Sequence, residues 1–155
     1  MLNLIIPSSY TKEINQSRLG AAYRFSLSSF GLEANTTTTL RVTNNRTIRE
    51  FNRAWRDENS VTDVLSFENS FIDPETGGKY LGDIIISFEK ARQQAQASGH
   101  SLQFEIEMLF VHGLLHLIGY DHDSKEQWQE MTKLQDEIME KINNPLRGGI
   151  QYNED

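Results

Sequence analysis

The sequence predicts an α+β fold, in which a small mixed β-sheet of about four strands packs against about five helices in the order β-α-β-α-β-β-α-α-α. Segments rich in β-branched residues, which favour strands, are confined to the first 88 residues. The last third of the chain holds consecutive segments with helical spacing of apolar residues. The length of 155 residues and the apolar fraction of 37% fit one domain with one core.

The N-terminal part of the chain alternates strands with a helix. An apolar run predicts a short buried strand over residues 2–6, and the segment after it predicts a helix over 11–27. The β-branched sequence TTTLRVT then predicts a strand over 37–43. These elements come from the part of the chain that carries most of its basic side chains.

Two further strands are predicted over residues 63–68 and 80–88. The connection between them contains an Asp-Pro and a Gly-Gly pair, which are typical of turns. Its length fits a β-hairpin with a long loop, so we expect these two strands to pair with each other.

Three helices are predicted to close the fold. The first covers residues 88–97, and the most apolar one covers 102–118 and ends at Gly119 in the manner of a C-terminal glycine cap. The last covers 125–142, so that a single domain is expected over residues 1–143. We expect residues 144–155 to form a flexible C-terminal tail.

The helix that follows Asn44-Asn45 is strongly amphipathic. At 100° per residue, its apolar residues fall on one side: Ile48, Phe51, Ala54 and Trp55. Its arginines fall within an arc of about 80° on the other side: Arg46, Arg49, Arg53 and Arg56. Two interpretations are about equally supported, namely a charged track for a phosphate backbone and an ordinary solvated helix face. Four arginines without a lysine favour the track slightly.

Composition and charge exclude several classes of protein. The mean hydropathy of −0.54, without a long apolar run, excludes a membrane protein. The absence of cysteine excludes a disulfide scaffold and a thiolate metal site, and it fits a cytoplasmic location. The net charge of −7 argues against bulk nucleic-acid binding, although residues 1–60 carry eight basic and five acidic side chains. Because the chain has no cysteine, any bound metal must be held by His, Asp or Glu.

Three of the four histidines form a pattern typical of a catalytic zinc site. His112 and His116 lie four residues apart on a predicted helix, so both imidazoles project from one face. Gly119 allows a sharp turn that brings His122 back as a third ligand. Three nitrogen ligands leave a fourth position for water. The alternative is a set of histidines that cap a core helix, and it explains the triple spacing less well.

The spacing H-x3-H-x5-H with a glycine at the turn matches the metzincin peptidases. Those enzymes need a glutamate directly after the first histidine as the general base, and this chain has Gly113 there. Glycine cannot transfer a proton. A peptidase function is therefore disfavoured.

The chain resembles the YbeY family, a group of bacterial endoribonucleases implicated in ribosomal RNA maturation. The resemblance rests on HGLLHLIGYDH (112–122), VTDVLSF (61–67) and LGDIIIS (81–87), and it extends over about residues 44–139. It implies a metallohydrolase domain that binds one Zn²⁺ per chain and cuts single-stranded RNA. It further implies a role in maturation of the 3′ end of small-subunit ribosomal RNA and in ribosome quality control, with the small ribosomal subunit as partner.

The resemblance also implies roles for individual residues. His112, His116 and His122 match the metal ligands of the family, and Arg56 matches its catalytic arginine. The chain departs from the family pattern at Trp55, where tyrosine is commoner, and at Glu68, where proline is common. Both departures concern local loop shape.

Other residues are assigned from the sequence pattern. Arg46, Arg49 and Arg53 line up behind Arg56 and are expected to contact an RNA backbone. Asp121 is expected either to orient a metal-binding imidazole through a hydrogen bond, without binding the metal itself, or to cap a turn. The sequence identifies no general base, so water and the RNA 2′-hydroxyl both stay open as nucleophile.

Three function classes stay open at this point. The preferred one is a zinc-dependent endoribonuclease. The second is a zinc hydrolase of another class, such as a peptidase, and the third is a non-catalytic ribosome-assembly protein that binds RNA and is stabilised by metal. An open coordination position separates the third class from the first two, and substrate preference separates the first two from each other.

Overall fold

The computed structural model describes residues 1–121 and 123–143; His122 and the tail expected over 144–155 lie outside the described residues. The described part forms four strands and five helices in the predicted order, and the α+β fold class is confirmed. The elements are β1 (Leu2–Ile5), α1 (Gln16–Ser29), β2 (Thr37–Thr43), α2 (Asn45–Arg56), β3 (Val64–Ile72), β4 (Lys79–Ser87), α3 (Phe88–Ser98), α4 (Leu102–Leu117) and α5 (Lys125–Ile142). None of the five helices in this part of the chain has the length and apolar character needed to cross a membrane.

The four strands form one mixed sheet in the order β1-β2-β4-β3. β1 pairs with β2 and β2 pairs with β4 in parallel, whereas β3 pairs with β4 antiparallel. The parallel pairs need crossover connections, which α1 supplies between β1 and β2. The predicted hairpin of β3 and β4 is confirmed, and it places β3 at one edge of the sheet.

One face of the sheet carries the main core. Alternate side chains of β2 and β4 pack there against α1 and α4. The buried members of this core include Leu19, Tyr23, Leu40, Val42, Ile84, Ile86, Phe110 and Leu114. A second cluster, which includes Val111 and Leu115 on α4 and Met131 and Ile138 on α5, packs α5 against the outer side of α4. Helix α4 is therefore held between the sheet and α5.

A buried ion pair fixes α4 relative to α1. Arg18 Nε and Nη2 each donate to a carboxylate oxygen of Glu107 at 2.7 Å, and both side chains are almost fully buried. Arg18 Nη2 also donates to Asn143 Oδ1 at 2.9 Å, while Gln103 Nε2 donates to Glu107 at 2.9 Å. The carboxylate thus keeps several charge-assisted partners, as a buried charge requires.

The opposite face of the sheet is covered in part by α2. Ile48 packs there against Leu65 and Ile85, and Phe51 and Phe67 extend this cluster. The amide of Asn52 is buried on the same helix and donates to Ser60 O at 3.1 Å. Beside the last turn of α2, the uncovered part of the sheet face forms a groove.

Helix α1 begins later than predicted. We expected it over 11–27, but it covers Gln16–Ser29 because the side chain of Asn15 caps it by accepting from Arg18 N at 3.1 Å. The preceding segment instead forms turns, in which Tyr10 N donates to Pro7 O at 2.9 Å. Asn is a strong helix N-cap because its side chain satisfies an amide that has no partner within the helix.

Strand β3 is longer than the predicted strand over 63–68. Its pairing with β4 continues past an irregularity between Glu68 and Phe71, and Phe71 stacks on Tyr80 with ring centroids 4.8 Å apart. Gly82 lies opposite this irregularity with φ of +148°, and a Cβ there would lie 2.2 Å from Phe67 O. Only glycine fits this close approach of the two strands.

The apolar side predicted for α2 is not buried in the last turn of the helix. Ala54 and Trp55 are exposed, and Trp55 keeps 71% of its accessible surface. Trp55 lies two turns after Ile48 on the same side of the helix, where the sheet beneath is no longer packed against it. Its ring meets only the edge of the cluster, with a centroid distance of 6.5 Å to Phe67.

Candidate active site

Helix α4 presents two of the predicted metal ligands side by side. His112 and His116 are both half-buried, and their Nε2 atoms lie 3.1 Å apart. Two nitrogens bound to one tetrahedral zinc ion, each about 2.0–2.1 Å from it, lie about 3.3 Å from each other. The two imidazoles are therefore close to the arrangement that a shared ion requires.

The Nδ1 atoms of both rings are held by hydrogen bonds. His116 Nδ1 lies 3.0 Å from Tyr120 O, and His112 Nδ1 lies 2.8 Å from Gln135 Oε1 on α5. Both partner atoms are acceptors, so Nδ1 carries the proton in each neutral ring and Nε2 carries the lone pair. The donor set thus fits a metal ion.

His122 lies outside the described residues, and among the residues that are described no group of three His, Asp or Glu side chains gathers in a metal-binding arrangement. Asp121 lines the same groove as the two histidines. Its expected role in orienting an imidazole stays a prediction, since the Nδ1 atoms of His112 and His116 are held by Gln135 and by Tyr120 O.

Gly113 faces the sheet instead of the groove. A Cβ at this position would lie 2.9 Å from Ile84 Cγ2 and 3.1 Å from Ser66 Oγ. The Gly113 carbonyl accepts a hydrogen bond from Ser66 Oγ at 3.3 Å. The close contact between α4 and the sheet therefore requires glycine, and it leaves no room for the glutamate that the metzincin mechanism needs.

Arg56 shares a groove with the histidines. This groove has a volume of about 770 Å³ and is lined by Arg56, Ser66, His112 and His116, among others. Arg56 Nη2 donates to Ser66 O at 2.6 Å, and its Cζ lies 5.5 Å from the centroid of the Phe67 ring. The end of α2 and the edge strand β3 thus position the guanidinium, while four of its five N–H groups are not needed for the Ser66 contact.

The other three arginines of α2 point elsewhere. Arg46 pairs with Glu50 on the same helix at 3.6 Å, and both side chains are largely exposed. Arg49 Nε donates to Asn59 Oδ1 at 2.8 Å in the loop that follows the helix, and Arg53 is exposed. Their contact with an RNA backbone stays a prediction, and these surface contacts are those of an ordinary solvated helix face.

Gln135 and Ser66 contribute to the site, and the sequence pattern did not single out either of them. Gln135 lies 23 residues after His112, so their contact depends on how α5 packs against α4. Ser66 lies inside the VTDVLSF motif, which was the available signal, and it contacts both Arg56 and Gly113.

Comparisons with known proteins point to one family. The family described as Endoribonuclease YbeY matches residues 7–143. An Endoribonuclease YbeY from Sulfurihydrogenibium sp. is 42% identical over 142 residues, which cover 90% of this chain and 91% of that protein. Its counterpart from Aquifex aeolicus is 34% identical over 146 residues, which cover 93% and 95%. The one from Heliobacterium modesticaldum is 49% identical over 107 residues, and this match spans 64% of that protein.

A solved structure shows the same fold. A protein from Thermotoga maritima, determined in solution, superimposes with a TM-score of 0.58 and 22% sequence identity over 89% of each chain. The family match covers far more than half of this chain, including the histidine motif and the strands that position Arg56. The chain therefore belongs to the Endoribonuclease YbeY family.

Proposed function

We propose that the protein is a zinc-dependent endoribonuclease that cuts single-stranded RNA. We further propose that it acts in the cytoplasm on the 3′ end of small-subunit ribosomal RNA, with the small subunit as partner, and in ribosome quality control. Its family is named for endoribonuclease activity. The observation that carries the proposal is the meeting of His112, His116 and Arg56 in one groove.

The donor set supports zinc as the cofactor. Two imidazole nitrogens, with His122 as the predicted third, form a nitrogen-rich site in a chain without cysteine. A bound zinc ion supplies Lewis acidity toward a phosphate oxygen and lowers the pKa of water. Gln135 and Tyr120 O hold the two imidazoles with their Nε2 atoms toward the groove, which removes the need to reorient them on binding.

Arg56 is suited to bind the scissile phosphate. Its planar fork matches two non-bridging phosphate oxygens, and the contact with Ser66 O fixes the side chain before the substrate arrives. Negative charge accumulates on these oxygens as the phosphorus gains a fifth ligand. A fixed cation there stabilises the transition state more than the ground state.

The burial of the histidines favours single strands. Both imidazoles are half-buried, so a phosphate must enter the groove to reach them. A duplex is stiff, whereas an unpaired strand can bend its backbone inward. We therefore expect unpaired RNA to be the preferred substrate.

One experiment tests this proposal against its two alternatives. Metal-analysed protein is incubated with labelled single-stranded RNA and with an unfolded polypeptide, each with and without a chelator. We expect cleavage of the RNA alone, loss of cleavage with the chelator, and recovery when zinc is added back. Cleavage of the polypeptide would instead indicate a peptidase, and cleavage of neither would indicate a non-catalytic RNA-binding protein.

A further inference from the structure

A second groove lies on the open part of the sheet face, beside the candidate active site. It has a volume of about 1060 Å³. Its floor is formed by side chains of the four strands, such as Ile5, Thr39, Arg41 and Phe67, and the last turn of α2 forms one wall. This groove contains none of the described histidines, so it is separate from the expected metal site.

Aromatic rings line this groove, and the ring of Trp55 is exposed. Trp55, Phe51 and Phe67 line it, and Trp55 is the most exposed large apolar side chain of the described residues, at 71%. The Phe67 ring lies 6.5 Å from the rings of both Phe51 and Trp55. Such an exposed indole on an open sheet offers a flat surface on which a nucleobase can stack.

Two arginines flank the aromatic rings. Arg56 Cζ lies 5.5 Å from the Phe67 ring centroid, and Arg41 Cζ lies 5.8 Å from that of Phe51. A guanidinium plane also stacks on nucleobases, and its charge favours a nearby phosphate. The groove therefore offers stacking partners of two kinds.

The groove also contains carboxylates that can bind a nucleobase. Glu58, Glu68 and Asp83 line it, and Asp83 accepts a hydrogen bond from the Tyr80 hydroxyl, which also contacts Thr39. Carboxylates repel phosphates but accept hydrogen bonds from the exocyclic amino groups of bases. Glu58 and Glu68 also line the groove of the histidines, whereas Asp83 lines only this one. Together with the rings, Asp83 suits the base of a nucleotide.

The two grooves are continuous. Arg56, Glu58, Ser66 and Glu68 line both of them. A phosphate bound at Arg56 would therefore lie at the junction, with the histidines on one side and the aromatic rings on the other. A nucleotide is long enough for its base to enter the second groove while its phosphate stays at the junction.

We propose that the second groove is a nucleobase-binding subsite, in which Trp55 stacks on a base of single-stranded RNA next to the phosphate bound at Arg56. The proposal rests on the proposed ribonuclease function and adds to it the element that holds the strand beside the cleavage point. A stacked base requires an unpaired strand, which gives the preference for single strands a physical cause.

The first test uses single-turnover cleavage of a labelled single-stranded RNA by Trp55→Ala and Trp55→Phe. Trp128→Ala is the matched control, because Trp128 is the other tryptophan and lies 46% exposed on α5. We expect Trp55→Ala to raise the half-saturating protein concentration about tenfold, with an unchanged salt slope, because stacking releases no counterions. Trp55→Phe should give an intermediate value, because a smaller ring still stacks, whereas Trp128→Ala should stay close to the original protein. An equal half-saturating concentration for Trp55→Ala and the original protein would overturn the proposal. A protein segment would then be the alternative occupant of the groove.

The second test measures base stacking by tryptophan fluorescence and does not depend on RNA cleavage. In Trp128→Phe protein, Trp55 is the single tryptophan, so its fluorescence reports on the groove. We expect quenching by an RNA oligonucleotide and none by an abasic oligomer with the same backbone. Equal quenching by both overturns the subsite. If the original protein cleaves no RNA at all, the proposed function fails, whereas base-dependent quenching would still support the subsite.

Discussion

Arg56 and Ser66 are joined by a hydrogen bond of 2.6 Å from the guanidinium Nη2 to the backbone carbonyl of the edge strand. The hydroxyl of the same serine reaches Gly113 O on the histidine helix at 3.3 Å. Ser66 therefore lies between the arginine at the end of α2 and the two histidines of α4. The relative position of the cation and the imidazoles depends on how closely β3 approaches α4.

Gly113→Ala should destabilise the protein, because the added methyl group would lie 2.9 Å from Ile84 Cγ2. We expect the free energy of unfolding to fall by about 1–3 kcal/mol, as for overpacked cores. Denaturant unfolding gives this value. Gly20→Ala is the matched control, since a Cβ there meets only Arg24 Nη1 at 3.4 Å, and it should stabilise α1 by about 0.5–1 kcal/mol. Equal effects at both glycines would contradict the close contact.

Gly113→Glu should not create a peptidase. The position faces Ile84 and Ser66, so a glutamate there cannot reach a substrate in the groove without displacing the sheet. We expect ribonuclease activity to be lost and peptide hydrolysis to stay at background, measured with an unfolded polypeptide. Robust peptidase activity in this variant, or in the original protein, would refute our interpretation of the histidine motif.

Gln135 should set the zinc affinity although it is not a ligand. Its Oε1 accepts from His112 Nδ1 at 2.8 Å, and loss of such a partner typically weakens metal binding about 10–100-fold. We expect this loss in Gln135→Ala and retained or tighter binding in Gln135→Glu, whose carboxylate is a stronger acceptor. Competition with a chromophoric chelator measures the affinity. Gln129→Ala, on the exposed side of the same helix, is the control and should bind zinc normally. Normal zinc affinity in Gln135→Ala would show that Gln135 does not orient His112 for metal binding.

Arg56 and Arg53 should differ in what they contribute. Arg56→Ala should lower the saturated single-turnover rate about 100-fold or more, because it removes a cation that acts on the transition state. Arg53→Ala should leave that rate unchanged. If Arg53 contacts the RNA backbone, the same variant should reduce the slope of log affinity against log salt concentration by about 0.7. A saturated rate in Arg56→Ala equal to that of the original protein would make Arg56 a binding residue only. No change of slope in either variant would show that RNA enters by another route.

Alkaline pH should destabilise the fold through Tyr23. Burial raises the pKa of Tyr23 to about 12, from 10.0, and its hydroxyl donates to Thr36 O at 2.8 Å. As the pH rises past 10, the unfolded chain loses this proton while the folded protein keeps it. The free energy of unfolding should therefore fall between pH 10 and 12, by about 2–3 kcal/mol for this group. Denaturant titrations at several pH values should show a smaller fall in Tyr23→Phe, and an identical fall would assign the effect to other groups.

The order of elements could be predicted because each one carries a local signal. The strand TTTLRVT, the apolar spacing of α4 and the turn at Gly119 need no information about the rest of the chain. The pair of His112 and His116 was predictable for the same reason, since residues four apart share a helix face. The start of α1 was missed because the cap at Asn15 outweighed the apolar pattern before it.

The features that depend on packing between elements could not be predicted. Gln135 reaches His112 because α5 packs against α4, and no pattern within α5 marks it. Trp55 lies on the predicted apolar side of α2, and its exposure depends on where the packing between the helix and the sheet ends. The four arginines of α2 are regularly spaced in the sequence. Arg56 differs from the other three because it contacts Ser66 O, which lies on strand β3.

We propose that His112, His116 and His122 hold the zinc ion on which RNA cleavage depends. Zinc content by elemental analysis, measured on each single histidine variant, tests it most directly. We expect about one equivalent in the original protein and in His100→Ala, whose histidine contacts Glu105 outside the groove, and far less than one equivalent in His112→Ala, His116→Ala and His122→Ala. Full zinc occupancy in all three of these variants would contradict the account.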